Sequence, residues 1–365
     1  MSREKIMKRI AKKIIIYFMN KSNIICDLIF WVSYIIRKQN TVYLLESADK
    51  VINEFSRASS KKLRRRMVVY NMHLGTKMNE FLQFNFINLS KREQKTFLLD
   101  KEKDDLCIKY NGWEHFNILK DKAKTAEIFK EFFKRNFLKV SGKDDYLKFC
   151  EFCKYYNEFV VKPIRESGGC GVALVSIVKD NIEQIFNNLL SNYGEFLIEE
   201  KIKQCQNLSN WNPDSVNTVR VSTILYRGGV IIYKPFFRTG RKDSFTDNLS
   251  MSGVSANVDP NTGVLITDGV DKFGNTYICH PDSHIKYKGY QIPKWDELLD
   301  LAKKLANILP NGKYVGWDLA LTDDSWVMVE GNWGKLRIPQ MNDKKGLRAE
   351  FKKLMEESSE MNYVQ

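Results

Sequence analysis

Gly316-Trp317-Asp318-Leu319-Ala320-Leu321-Thr322-Asp323-Asp324-Ser325-Trp326-Val327-Met328-Val329-Glu330-Gly331-Asn332 reads as two apolar strands folded back on each other around Asp323-Asp324. Side chains two apart on a strand project from one face, so Glu330 and Asn332 share a face. Asp318, across a tight hairpin, reaches the same face. Two carboxylates and an amide oxygen are hard ligands of the kind magnesium takes alongside nucleotide phosphates. The plainer alternative is a hairpin with solvated acids, but Trp326, Met328 and Val329 flank these acids with apolar neighbours.

Working upstream, the same texture recurs. Glu158–Ile164, Val172–Val178, Glu195–Ile202, Ser215–Tyr226 and Val230–Phe237 read as strands, the last two joined by a turn at Arg227-Gly228-Gly229. Val254–Val258 and Val264–Asp268 flank the turn Pro260-Asn261-Thr262-Gly263. Lys122–Arg135, Tyr146–Tyr156, Asn181–Ser191 and Gly346–Glu357 have helical texture, as does Trp295–Leu309, which stops at Pro310, Asn311 and Gly312. Hairpins with helices between them predict an α+β layered domain rather than a parallel doubly wound one. Before about Asn111 the chain reads mainly as helices, with Ser47 and Ser90 as N-cap candidates for Ser47–Ser56 and Ser90–Phe97.

Two further stretches carry chemistry. Lys162-Pro163 ends a strand, and Glu166-Ser167-Gly168-Gly169-Cys170-Gly171-Val172 turns the chain back. Glycines let backbone N–H groups approach phosphate oxygens, and a lysine at the strand end adds a point charge. No helix follows the glycines, so the loop is neither a Walker A nor a Rossmann fingerprint; a plain flexible hairpin is the alternative. Phe196-Leu197-Ile198-Glu199-Glu200-Lys201-Ile202 is an apolar strand with an acidic end, suited to an adenine edge or simply to solvent.

Taken in order, Lys122, Lys162-Pro163, the 168–171 loop, Glu199-Glu200, Asp318 and Glu330-x-Asn332 resemble the ATP-grasp superfamily. Asn217-Thr218-Val219-Arg220, Asp247-Asn248, Ser252-Gly253 and Gly316-Trp317-Asp318 are more narrowly similar to sugar-transfer-associated ATP-grasp proteins, found with bacterial surface-polysaccharide genes. The resemblance spans about Leu119 to Gln340, and more loosely from Lys62. It implies two α+β lobes gripping ATP between antiparallel sheets, behind a mainly helical N-terminal region. The implied boundaries are 1–60, 61–118, 119–205 for the small lobe and 206–365 for the large one. It also implies residue roles. Lys122 and Lys162 hold ATP phosphates while Ser167, Gly168, Gly169 and Gly171 close over them. Glu199, Glu200 and Ile202 bind adenine, and Gln206 stands where a ribose-binding acid is usual. Asp318, Glu330 and Asn332 bind Mg2+, and Arg220 and Arg238 join Lys162 in steadying the transferred phosphoryl group. Lys335, Arg337 and Gln340, after the metal motif, are expected to face the substrate. Ser252-Gly253 replaces the family's two glycines.

The implied reaction is ATP-dependent joining of a carboxylate, from a sugar acid or an amino acid, to an amine acceptor. A kinase that stops at phosphoryl transfer would use the same nucleotide site. A net charge of +14 leaves open a third reading, a non-enzymatic binder of membrane or nucleic acid. No aromatic–basic motif of the RNA-binding kind is present, so no nucleic-acid partner is expected. Seven scattered cysteines argue against a secreted disulfide scaffold and for a cytoplasmic setting. The Cys150–Cys153 pair lacks a second pair at zinc spacing, and Pro281 between His280 and His284 spoils a helical ligand pair. Lys8–Phe18 and the apolar stretch Asn23–Ile36 form either membrane-surface helices at the inner face of a membrane or helices packed on the protein.

Overall fold

The computed structural model describes residues 10–17, 23–166, 171–177, 181–226, 229–309, 312–332 and 336–359, with only the backbone for 23, 113–116 and 359. They fall in two compact units: 1–105 with 336–351, and 106–335 with 352–365.

The first unit is helical. Helices Asn23–Ile36, Lys38–Glu54 and Lys61–Leu74 precede the short Met78–Gln83. Ser60 caps the third, accepting from Leu63 N at 3.1 Å, and Gly75 ends it in the left-handed region at φ 73. Its core is aromatic: Tyr70, Phe81, Phe84, Phe86 and Phe97 are buried, with Phe84 and Phe97 rings 4.7 Å apart. Two expectations are corrected or trimmed here. Ser47 is not a cap; it lies inside Lys38–Glu54, its hydroxyl donating to Tyr43 O at 2.9 Å. Ser90 does cap, in a capping box with Glu93, but the helix is only Lys91–Gln94. Among the described residues no helix is long and apolar enough to cross a membrane.

The second unit holds two antiparallel sheets. The first comprises β1 Phe137–Val140, β2 Glu158–Pro163, β3 Ala173–Ser176 and β4 Phe196–Glu200, in the order β1-β4-β2-β3. Its buried face packs Phe149 and Phe186, from the helices Tyr146–Tyr155 and Ile182–Tyr193, against Phe159 and Phe196. The second comprises β5 Thr218–Tyr226, β6 Gly229–Thr239, β7 Val254–Asn257, β8 Gly269–Asp271, β9 Thr276–Tyr277, β10 Tyr314–Leu321 and β11 Trp326–Asn332. Their order is β11-β10-β5-β6-β7-β8-β9. Helix Trp295–Ile308 buries Leu298, Ala302 and Leu305 in the core this sheet shares with Trp211 and Trp317.

Three elements differ from the sequence reading. Lys122–Arg135 is two helices, Lys122–Ile128 and Lys130–Phe133, and Lys134 at φ 47 turns the chain into β1, a strand the periodicity did not show. Val264–Asp268 forms only isolated bridges at Val264 and Leu265; the paired strand is Gly269–Asp271. The Cys150–Cys153 helix and His280 are structural. Burial pushes the Cys153 thiol up to about 12. The buried His280 ring lies 2.9 Å from Gly240 O, and its other nitrogen accepts from Asp282 N and Ser283 N.

Candidate active site

The 316–332 hairpin forms as read. Its cross-strand register pairs Asp318 with Glu330 and Gly316 with Asn332. On its other side Asp318 pairs with Arg220 of β5. Residues opposite one another share a face, so Arg220, Asp318 and Glu330 form one row across three strands. Gly331 separates Glu330 from Asn332 for a steric reason: a Cβ there would meet Trp317 Cζ3 at 2.9 Å and Leu119 Cδ2 at 3.0 Å.

The row is tied by ionic hydrogen bonds. Arg220 donates from Nε to Asp318 Oδ1, from Nη2 to Asp318 Oδ2 at 2.6 Å, and from Nη1 to Asn332 Oδ1 at 2.7 Å. Its Nη2 is 4.0 Å from Glu330 Oε1. Arg238 reaches Asp318 Oδ2 at 3.0 Å and Asp247 Oδ2 at 3.3 Å, and donates to Thr218 Oγ1 at 2.7 Å. Asp247 also accepts from Thr218 N at 3.0 Å. Charges therefore alternate along Asp247, Arg238, Asp318, Arg220 and Glu330.

This network sets the acids apart. Burial works against ionisation of Asp318, but Arg220 and then Arg238 outweigh it and hold the carboxyl well below the usual range. Burial, and then the neighbouring Asp318 charge, push Glu330 up. The Glu330 side chain is still 43% exposed, and it lines the cleft. Asp247 is pushed up to about 6, first by burial and then by Asp318, with Arg238 opposing.

The first sheet contributes a second cluster. Glu199 accepts from Arg135 Nε at 2.9 Å and Lys162 Nζ at 2.8 Å. Burial would raise its carboxyl, yet Arg135 and Lys162 hold it low. Arg135 also donates from Nη1 to Met328 O at 2.6 Å, which ties the first sheet to β11. Lys122 Nζ donates to Pro163 O at 3.0 Å and to Glu166 O, and burial pushes its ammonium down.

Both clusters face one cleft with a cavity of about 490 Å³, within the range of small-molecule sites. Lys122, Lys162, Glu199, Glu200, Ile202, Arg238, Asp318 and Glu330 line it, whereas Arg220 and Asn332 stand behind Asp318 and Glu330. Ser167, Gly168 and Gly169 lie outside the described residues. Gly171 adopts φ 72, and a Cβ there would meet Pro163 Cγ at 3.1 Å. Gln206 is not on the wall; it donates to Asn210 Oδ1 at 2.5 Å, and Gln204 and Asp214 line the cleft instead. Gln340 also departs from expectation. It is fully buried in the first unit, accepting from Leu98 N and Leu347 N and donating to Leu98 O and Leu336 O. Arg337 pairs with Asp100 at 3.5 Å, and Lys335 lies outside the described residues.

Sequence reasoning missed Arg135 and gave Asp247 no role. Ser252 takes the left-handed backbone, φ 76, that a glycine adopts freely. A Cβ on Gly253 would strike Asp247 O at 2.5 Å, so that glycine is required. Among the described residues no group of three His, Cys, Asp or Glu side chains is placed to hold a metal. The candidate donor set is mixed, two carboxylates with an amide, and it fits a hard cation. Its oxygens are gathered on one face, with Asn332 Nδ2 3.3 Å from Glu330 Oε1, and the Asp318 charge raises the cost of ionising Glu330.

Two antiparallel sheets with helices between the strands, and a cleft carrying cations on one wall and acids on the other, define an ATP-grasp fold. The chain belongs to the sugar-transfer associated ATP-grasp family, whose profile matches residues 101–356. ATP-grasp enzymes are ATP-dependent ligases. No curated protein matches the chain. Among solved structures it is similar to the D-alanine–D-alanine ligase from Bacillus anthracis, at 15% identity and a TM-score of 0.42, covering 67% of this chain and 68% of that one. It is similar to the D-cycloserine synthetase DcsG at 12% identity and a TM-score of 0.42, covering 67% and 71%. It is also similar to the ATP-grasp ligase PsnB, complexed with a phosphomimetic variant of its minimal precursor, Mg and ADP. There the identity is 11%, the TM-score 0.41, and the coverage 68% and 61%.

Proposed function

We propose that this protein is an ATP-dependent carboxylate–amine ligase that works through an acyl phosphate. The observation carrying this reading is the polarity of the cleft. Lys122 and Lys162 stand on one wall, and Asp318 and Glu330, backed by Asn332, stand on the other. A triphosphate needs cations along its length and divalent charge between its terminal phosphates.

In this reading Lys122 and Lys162 bind phosphate oxygens. Strand β4 and the chain beyond it, Glu199 to Ile202, offer backbone groups to adenine; the Glu199 carboxylate itself is occupied by Arg135 and Lys162. Asp318, Glu330 and Asn332 would hold magnesium, which when bound neutralises charge building on the transferred phosphoryl group. A substrate carboxylate oxygen attacks the γ-phosphorus, the bond to the bridging oxygen breaks, and ADP leaves. The amine then attacks the acyl carbon, inorganic phosphate departs and the amine loses a proton, leaving an amide. Arg220 and Arg238, held rigidly by Asp318, keep positive charge beside these steps at no cost in reorganisation.

The carboxylate is proposed to come from a sugar acid or an amino acid bound for a surface glycan, in keeping with the family's association with sugar transfer. The test is an ADP-release screen of amino acids and nucleotide-linked uronic acids, with product analysis. The expected result is ADP and inorganic phosphate in equal amounts with a new amide. A phosphoester without free phosphate would overturn the ligase reading and make the protein a kinase.

A further inference from the structure

The first unit carries an apolar surface that the reaction does not use. Helix Asn23–Ile36 has Ile24, Leu28, Trp31, Val32, Ile35 and Ile36 exposed, with Ile24 at 80% and Ile35 at 78%. The spacing of 24, 28, 31, 32 and 35 is that of one helix face. The opposite face is the packed one: Cys26, Phe30 and Ser33 are buried. The stripe is therefore not a core face left over but a second apolar face on a helix already anchored by its first.

Cations rim this stripe. Arg65 lies 4.8 Å from the Trp31 ring, and Lys61 and Arg64 border a hollow shared with Trp31 and Tyr34. Arg37 and Lys38, at the helix's C-terminal end, are exposed as well. An apolar strip with aromatic rings, edged by lysines and arginines, matches the boundary between lipid headgroups and acyl chains. Asp27 on the same helix and Asp49, paired with Arg64 at 2.6 Å, interrupt the rim, but Lys61, Arg65, Arg37 and Lys38 leave it with a cationic excess, which suits an acidic lipid surface. The helix has 14 residues, short of the roughly 20 that a span needs, so it suits lying in the interface plane.

We propose that the Asn23–Ile36 face seats this protein on an anionic lipid bilayer, with Leu28, Trp31 and Ile35 entering the headgroup boundary and Arg65, Arg37 and Lys38 meeting lipid phosphates. The inference does not depend on the ligase reading, since every residue in it belongs to the first unit.

The test is vesicle flotation of the full chain with phosphatidylcholine alone and with phosphatidylcholine mixed with phosphatidylglycerol, following the part of the tryptophan fluorescence that Trp31→Phe removes. Expected is flotation with the mixed vesicles, a blue shift, and release by high salt. Leu28→Asp and Ile35→Asp, both at exposed positions that leave the core intact, should each weaken partitioning about tenfold or more. Arg65→Glu should weaken it only where the vesicles are anionic. Circular dichroism would confirm that the variants stay folded. Absence of flotation by the folded wild-type chain would overturn the proposal. So would self-association abolished by Leu28→Asp without any vesicle binding, which would make the face an interface between copies.

Discussion

In the four-stranded sheet, the Glu199 carboxylate is met by Arg135 at 2.7 Å and Lys162 at 2.8 Å, and its side chain is 4% exposed. In the seven-stranded sheet, Asp318 is likewise taken by two cations, Arg220 and Arg238, but its row runs on to Glu330, which opens to the cleft. The first cluster sets two cations against one acid and leaves a positive excess beside Lys122. The second sets Asp247, Asp318 and Glu330 against two arginines, three acids to two cations, and leaves a negative excess. Two networks built from the same residue types thus polarise one cleft, one end positive and the other negative. A closed ion cluster fixes structure; one left open by a single acid is ready for a ligand.

The sharpest way to break this contrast is Arg135→Met. It strands a buried Glu199 with Lys162 alone, and a loss of about 3–5 kcal/mol in unfolding free energy is expected by urea titration. No loss would mean the closed cluster is not structural. Glu330→Gln should do the opposite, cutting ADP release on the order of 10²–10³-fold while leaving the melting temperature unchanged or raised, because a charge crowding Asp318 is gone. A fall in melting temperature would show that Glu330 belongs to the scaffold.

A third test uses pH. The Asp247 carboxyl, pushed up to about 6 in the fold, keeps its proton where the unfolded chain has lost it. Its contribution to stability is therefore greatest below the unfolded value near 4, declines as pH rises from there through 6, and is flat above. The drop is at most about 3 kcal/mol, from a shift of roughly two units. Asp318 works the other way, its contribution present above pH ~4 and lost on acidification. Asp247→Asn should remove the decline between pH 4 and 6 in denaturant midpoints; an unchanged slope would detach Asp247 from the row. Smallest is Gly331→Ala, whose added Cβ presses on the Trp317 ring and should cost roughly 1–3 kcal/mol, read from thermal melts. A neutral result would mean that the ring yields easily.

Much of this site is written in short range. Glu330 and Asn332 share a face because a strand repeats every two residues, but the register set by the turn at Asp323-Asp324 would bring Val329 opposite Asp318, and it is the bulge between Asp318 and Leu319 that brings Glu330 there instead. The shared face is legible in the hairpin sequence alone, whereas the bulge that completes the row is not. Arg135 has no such signature. Its partners are Glu199, 64 residues on, and the carbonyl of Met328, 193 residues on, and only the assembled sheets bring them together. Strand β1 escaped for a related reason. Four residues carry too little alternation to register, and the left-handed Lys134 before it is set by tertiary packing, not by a turn residue. Gln340 lies eight residues after Asn332, but Leu336–Phe351 belongs to the first unit, and its burial against Leu98 there is a contact across 242 residues that no local pattern shows. Gln206 and Gln204 differ only in which one the turn after β4 points inward, and Gln204 is held there by the Asn217 backbone.

The central claim is that Asp318, Glu330 and Asn332 grip a divalent cation against a triphosphate whose far end lies on Lys122 and Lys162. A crystal structure of the protein with magnesium and a non-hydrolysable ATP analogue tests it most directly. Expected are an ion ligated by Glu330 and Asp318 with Asn332 beside it, and phosphate oxygens within hydrogen-bond reach of both lysines. Nucleotide bound elsewhere, or bound in this cleft with no ion among those three side chains and Arg220 still closing on Asn332, would contradict it.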